Sequence, residues 1–322
     1  MLDRVAANDL SGARVLLDWL REDMHLTGGD DPLVGVPFPR FWTKGKDLDA
    51  AKMKLAAAAI LVMRENTAPR GVSILEAARN TSLSDPEKTN IAFALTYGYQ
   101  RSRLYEKGLA VSSELNQQYP ESDNAFRLRA FYLRASGKIQ ESDQLAQERL
   151  NRIPLDLDAM HQLSDNAIAR EDYAKARAVL QEIVDNGKGG PRDLNQIGWL
   201  SLFGEKPNES DVEAALKSAQ LSNNAWGVLH TLGCVYAEIG KLKEAREVLV
   251  QAMDSAKFDE PESDFWYAFG RIAEQAGERE SALADYARVT EPENPLDLLA
   301  SAYRLAQIRI KAMGGPAKCH DR

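Results

Sequence analysis

Between residues 47 and 313 the apolar residues fall in short stripes spaced three and four apart, the period of one helix face. In one stretch Leu229, Leu232, Gly233 and Tyr236 mark a first stripe, and Ala245, Leu249 and Ala252 a second. Gly240 stands between them, as the turn residue that ends a helix. The pattern predicts two amphipathic helices joined by a tight turn, and it repeats. Thr96, Ala130, Ser164 and Gly198 are 34 residues apart; so are Gly108, Ser142 and Ala176, and so are Pro86, Pro120 and Pro154. Gly233 with Ala245 continues the first two registers, and Gly270 with Ala282 repeats them 37 residues later. Three registers at one period are the mark of a repeat array. The small residues predict close approach of paired helix backbones, where a larger side chain would overpack. The prolines fall in loops such as QQYPESD and RIPLDLD, where they stop one unit and start the next.

About seven units are read within residues 47–294, near 55–88, 89–122, 123–156, 157–190, 191–225, 226–262 and 263–294. PLDLLASAYRLAQIRIKAM, residues 295–313, is expected to be a capping helix over the last apolar face, and 314–322 a disordered tail. Residues 1–46 read as a helix followed by a loop of proline, glycine and aromatic residues. The helix puts Ala13, Leu17 and Leu20 on its inner face and resembles the second half of a unit, so the chain reads as starting inside a truncated repeat. The alternative is a single capping helix. In the loop, TGGDDPLVGVPFPRFWTKG, the aromatics Phe38, Phe41 and Trp42 read as a plug over the first helices. Asp30 and Asp31 lack the carboxylate spacing of a calcium loop.

Composition narrows the function. With 322 residues, 44% hydrophobic and 27% charged, the chain is an ordinary soluble folded protein. Its net charge of -8 argues against general nucleic-acid binding, which needs clustered Lys and Arg. The longest apolar run, LAAAAILVM, is too short to span a bilayer, so no membrane insertion is expected. MLDRVAANDL has neither the basic start nor the apolar core of a secretory signal, which leaves cytoplasmic as the default expectation. Cys234 and Cys319 are too far apart in sequence and context to suggest a disulfide framework.

LHTLGCVYAEIGKLKEA, followed by VLVQAM, and FWYAFGRIAEQAGERESALADYARV, residues 265–289, resemble tetratricopeptide repeats. The resemblance covers residues 47 to 313 and implies an all-α fold, an α-solenoid of helix-turn-helix repeats wound as a right-handed superhelix. The sequence departs from the motif at Arg129, where an apolar residue is usual, at Ile74, which takes a small-residue place, and at GEKPNESD, which lengthens a turn. The loop of residues 27–45, with the degenerate repeats, is similar to the region downstream of transglutaminase-like domains in some large bacterial proteins.

In the tetratricopeptide family the first helices line a concave face, and their ligand-facing side chains lie in the turns around the small packing residue. That resemblance implies partner-binding positions at Phe93, Tyr97 and Arg101; Arg127, Phe131 and Arg134; His161 and Asp165; Asn195 and Trp199; His230; and Tyr267 and Arg271. Arg101, Arg127 and Arg134 with Phe93, Tyr97 and Phe131 combine residue types that anchor interfaces, and they suggest an extended peptide carrying acidic groups. The alternative is that these arginines pair with neighbouring Glu and Asp on a solvated face. They do not reproduce the carboxylate clamp of chaperone-binding relatives. His230 and Cys234, four apart on one helix face, lack the further ligands that zinc needs and the orienting group that a nucleophile needs. His161 and Asp165 have the same spacing and are expected to form a local pair. No catalytic residue, metal or cofactor is assigned. The expected function is a non-enzymatic scaffold that binds a protein or peptide partner in a concave groove. The alternative is an accessory region of a larger, transglutaminase-like enzyme.

Overall fold

The computed structural model describes residues 2–7, 9, 11–13, 15–16, 49–81, 83–204 and 206–315. Among these residues there is no strand. Helices follow one another in packed pairs, the all-α solenoid that the 34-residue period predicts. Leu17, Leu20, the loop of residues 27–45 and Cys319 lie outside the described residues; Ala13 is buried. The chain divides into two compact units, Met1–Lys138 and Ile139–Arg322.

The first unit holds α1 (Leu2–Ala6), α2 (Ala50–Leu61), α3 (Ala68–Arg79), α4 (Asp85–Arg101), α5 (Tyr105–Gln118) and α6 (Asp123–Ala135). Its helices start on local signals. Asp49 accepts a hydrogen bond from the Lys52 amide at 2.8 Å, and Glu87 reaches back to the Ser84 amide at 3.0 Å. Leu75, Ile91, Leu95, Leu115, Phe126 and Tyr132 fill the core. Tyr132 illustrates the small-residue register: its ring occupies the space where a Gly108 side chain would stand, and its hydroxyl donates to the Thr96 carbonyl.

The second unit continues with α7 (Ile139–Arg152), α8 (Leu157–Ala169), α9 (Tyr173–Asp185), α10 (Pro191–Leu200), α11 (Glu209–Leu221), α12 (Trp226–Glu238), α13 (Leu242–Ala256), α14 (Phe265–Gln275) and α15 (Arg279–Tyr286). The pairs α8/α9, α10/α11, α12/α13 and α14/α15 pack as hairpins. Three of their turns use a left-handed residue. Gly240 (φ 85°) and Gly277 (φ 84°) supply it after α12 and α14, and Glu171 (φ 60°) after α8. The small-residue register brings the paired backbones together. A Cβ on Gly233 would stand 2.6 Å from Leu249 Cγ, and one on Gly270 2.7 Å from Tyr286 Cδ1. The insertion GEKPNESD has its own logic. A 3-10 turn, Ser201–Phe203, ends the shortened first helix, and Asn208 and Asp211 cap each other's amides to restart at α11.

The single capping helix expected over 295–313 is two elements. Asn294 and Pro295 start a 3-10 stretch, Pro295–Ala300. The extended Ser301 then breaks the chain direction and caps α16 (Ala302–Ala312), accepting from the Arg304 amide at 3.1 Å. A proline opening followed by a serine cap is a break-and-restart signal that the hydrophobic period alone conceals.

Candidate functional site

Segment 290–301 does not run outward along the array. It turns back across the first helices of the second unit and acts as a strap. Thr290 is tied to the Ser263 hydroxyl by its amide at 2.8 Å and its hydroxyl at 2.9 Å. Tyr173, at the start of α9, donates its hydroxyl to the Leu299 carbonyl at 2.6 Å. Trp199 on α10 donates its indole N–H to the Ala300 carbonyl at 2.8 Å. Arg304 then pairs with Glu171 in the α8–α9 turn. The anchoring side chains pre-pack on one another: Tyr173 stacks on Phe203 at 4.9 Å, and Trp199 meets Phe203 edge-on at 5.9 Å.

Between the strap, helices α10 and α12 and the segment leading into α14 lies a cavity of about 610 Å³. Binding sites commonly span about 300–1,000 Å³. Asn195 and Trp199 of α10 and Trp226 and His230 of α12 form its floor. Trp226 is 43% exposed, unusual for an indole, and is held by Phe258 edge-on at 5.3 Å and by Phe265 stacked at 6.4 Å. Glu262 and Asp264 stand at the entrance to α14, with Glu291, Glu293 and Asp297 on the strap side.

His230 is 7% exposed at the back of this cavity, with Nε2 3.1 Å from the Asp264 carbonyl and 3.6 Å from Cys234 Sγ. Burial pushes the imidazole pKa down, against the pull of the Asp264 carbonyl and carboxylate, so the neutral ring donates Nε2–H to that carbonyl. Burial also pushes the Cys234 thiol well above its ordinary range, assisted by the charges of Asp264 and Glu238. The pair is core packing around a helix start, with a protonated thiol at neutral pH. Among the described residues, no group of three or more His, Cys, Asp or Glu is placed to hold a metal ion. Nor, among them, is any helix long and apolar enough to cross a membrane.

The sequence positions separate into three groups. Asn195, Trp199 and His230 come together at the cavity. In the first unit, Phe93, Tyr97 and Arg101 lie on α4, and Arg127, Phe131 and Arg134 on α6. There Tyr97 is half-buried, its hydroxyl pushed up to about 12 by burial while the nearby Arg127 guanidinium pulls it down. Phe131 packs edge-on against Tyr105 at 6.4 Å and Tyr132 at 5.1 Å. Arg101 and Arg127 are exposed, while Arg134 is half-buried. The third group is corrected. Tyr267 is 1% exposed against Tyr286 and offers a partner no surface. Arg271, 8% exposed, is an internal ion pair with Glu238 and, at 3.1 Å, with Glu274. His161 does not take Asp165 as its partner; its Nε2 lies 2.6 Å from Asp193 on α10, one hairpin further on. Asp193 also caps α10 by accepting from the Gly190 amide at 2.8 Å, which draws it toward α8.

Trp226 and the strap carboxylates escape the repeat register. Trp226 stands a full turn ahead of His230 on α12, and the strap has no helical period. The dense acidic and proline run EPENPLD was the available signal.

A family model described as tetratricopeptide repeat matches residues 227–259, which take in α13 and all of α12 but its first residue. The fold is similar to that of a tetratricopeptide repeat protein from Parabacteroides merdae. The two share 14% identity and a TM-score of 0.57 over 80% of this chain and 98% of that one. It is also similar to a chain of the APC/C hetero-tetramer Cut9-Hcn1, at 14% identity and a TM-score of 0.48, over 84% of this chain and 52% of that one. No curated protein sequence matches the chain.

Proposed function

We propose that this tetratricopeptide-type α-solenoid is a protein-binding scaffold whose first helices present a concave groove to an extended segment of a partner. Proteins built from this repeat generally mediate protein-protein interaction and are typically not enzymes. The observation that carries the groove reading is the strap itself. Side chains of two helices, Tyr173 at the start of α9 and Trp199 on α10, donate hydrogen bonds to main-chain carbonyls of another segment, Leu299 and Ala300 of the 3-10 stretch, as they could to a bound partner segment. Main-chain recognition of this kind supplies affinity without demanding a particular sequence, and adjacent pockets supply the selection. In the first unit, the exposed guanidiniums of Arg101 and Arg127 beside Tyr97 and Phe131 suit acidic groups of a partner. A photo-crosslinking residue placed at Trp226 or Phe131 tests the reading, with Val250 on α13 and Leu216 on α11 as second-helix controls. The expected outcome is a partner labelled from Trp226 or Phe131 and not from the controls. Labelling confined to Val250 and Leu216 would place the interface on the second helices and overturn the groove.

A further inference from the structure

We infer that the cavity between the strap, α10, α12 and the segment leading into α14 is a pocket for an arginine side chain of the partner segment; the inference rests on the groove reading above. Two independent features of the wall select a guanidinium-type cation. The first is charge. Among the described lining residues every ionised group is a carboxylate: Glu262, Asp264, Glu291, Glu293 and Asp297, with no lysine or arginine. The imidazole on the floor does not offset them, because burial favours its neutral form. The second is the aromatic floor. Trp199 and the exposed Trp226 both line the space, and a guanidinium stacks on an indole face better than any other side-chain cation. A carboxylate ligand would face five like charges, and an apolar ligand would match none of them. Arginine answers both features: its planar fork pairs with carboxylates and its face stacks on tryptophan. The acidic partner chemistry suggested by Arg101, Arg127 and Arg134 therefore does not extend to this cavity.

The test titrates the full chain with a capped peptide carrying two arginines and with its lysine, alanine and glutamate counterparts. Calorimetry measures affinity, and tryptophan fluorescence reports on Trp199 and Trp226. The arginine peptide should bind saturably with Kd below about 1 mM, the lysine peptide more weakly, and the alanine and glutamate peptides not at all. Binding should weaken as salt is raised. The exposed triple variant Glu262→Gln, Glu291→Gln and Glu293→Gln should lose about tenfold or more in affinity. Glu247→Gln on α13, paired only with Lys243 at the surface, should match the parent. Thermal melts of each variant establish that it folds. Three results would overturn the assignment: no saturable arginine-peptide binding at about 1 mM, equal binding to the triple variant, or equal binding of the glutamate peptide. Spermidine binding as tightly as the arginine peptide would make the pocket a site for free polyamines and also overturn it. If Trp226 crosslinks a partner while the arginine peptide fails, the groove reading stands and the charge assignment alone falls.

Discussion

Two glycines of this chain do different work, and their replacement separates packing from backbone conformation. Gly270 meets Tyr286 across the α14/α15 contact, with φ in the ordinary helical range, whereas Gly240 has φ 85° and open space around it. Gly270→Leu should cost about 1–3 kcal/mol through overpacking, and Gly240→Ala about 1 kcal/mol through left-handed strain alone. Urea midpoints of the two variants check this, and equal, negligible shifts would mean that the helix contact is misplaced. At the same scale, His230 makes stability pH-dependent. Its folded pKa lies below the ordinary imidazole value, so the unfolded chain binds a proton at about pH 6.5 that the native cavity refuses. The contribution is complete above that pH and is lost on acidification toward the folded pKa. The Asp264 carbonyl and carboxylate, which favour the protonated ring, limit the loss. Lowering the pH from about 7.5 to about 5.5 should therefore depress the melting temperature more in the parent than in His230→Gln. Identical pH dependence in both would exclude His230 as the origin.

Among the elements, the hairpins were readable in the sequence because each carries a helical stripe and a small residue at a fixed spacing. Gly233 against Leu249 and Gly270 against Tyr286 are the physical content of that spacing. The strap was not readable, because what fixes it is remote: Tyr173 and Trp199 bond to carbonyls 126 and 101 residues away. No local period records such a contact, and a main-chain carbonyl imposes no residue type. The same blindness put Tyr267 and Arg271 on the binding face. They occupy the right register, but Tyr286 of α15 covers Tyr267, and Glu238 of α12 with Glu274 of α14 itself draws Arg271 into an internal ion network that Arg309 of α16 joins. That carboxylate binds Arg271, Arg309 of α16 and the Tyr286 hydroxyl, the last at 2.6 Å. Removing it takes that partner from the half-buried Arg309 guanidinium and from the Tyr286 hydroxyl, whereas Glu238→Ala leaves Arg271 paired with Glu274, so Glu274→Ala should cost about 3 kcal/mol, more than Glu238→Ala. Chemical denaturation of both variants tests the order. For the strap, Tyr173→Phe with Trp199→Phe removes two hydrogen bonds worth about 1 kcal/mol each, and amide exchange over residues 295–301 should rise by about tenfold or more. Unchanged exchange there would show that packing of Leu298 and Ala300, not the two donors, retains the strap.

At the scale of the whole molecule, a net charge of -8 conceals a division of labour. Carboxylates gather around the cavity of the second unit, while α4 and α6 of the first carry Arg101, Arg127 and Arg134 among aromatics. A repeat array can hold such contrasts because each helix pair is stabilised chiefly by its neighbours, leaving its exposed face free to vary. A partner that spans the first helices would meet these surfaces through different physics. Phe131 packs between Tyr105 and Tyr132, so its contribution comes from apolar contact, which salt does not screen. Arg127 is exposed, and its contribution is long-range attraction, screened over a Debye length of about 8–10 Å near physiological ionic strength. Phe131→Ala should therefore weaken partner binding at every salt concentration, by about 2 kcal/mol if it is a central anchor. Arg127→Glu should act mainly on the association rate, most strongly at low salt. Association and dissociation rates of the crosslinked partner, measured for both variants at two ionic strengths, decide the matter. A salt-independent effect of Arg127→Glu would make it a desolvated contact, and no effect of either substitution would remove the first unit from the interface.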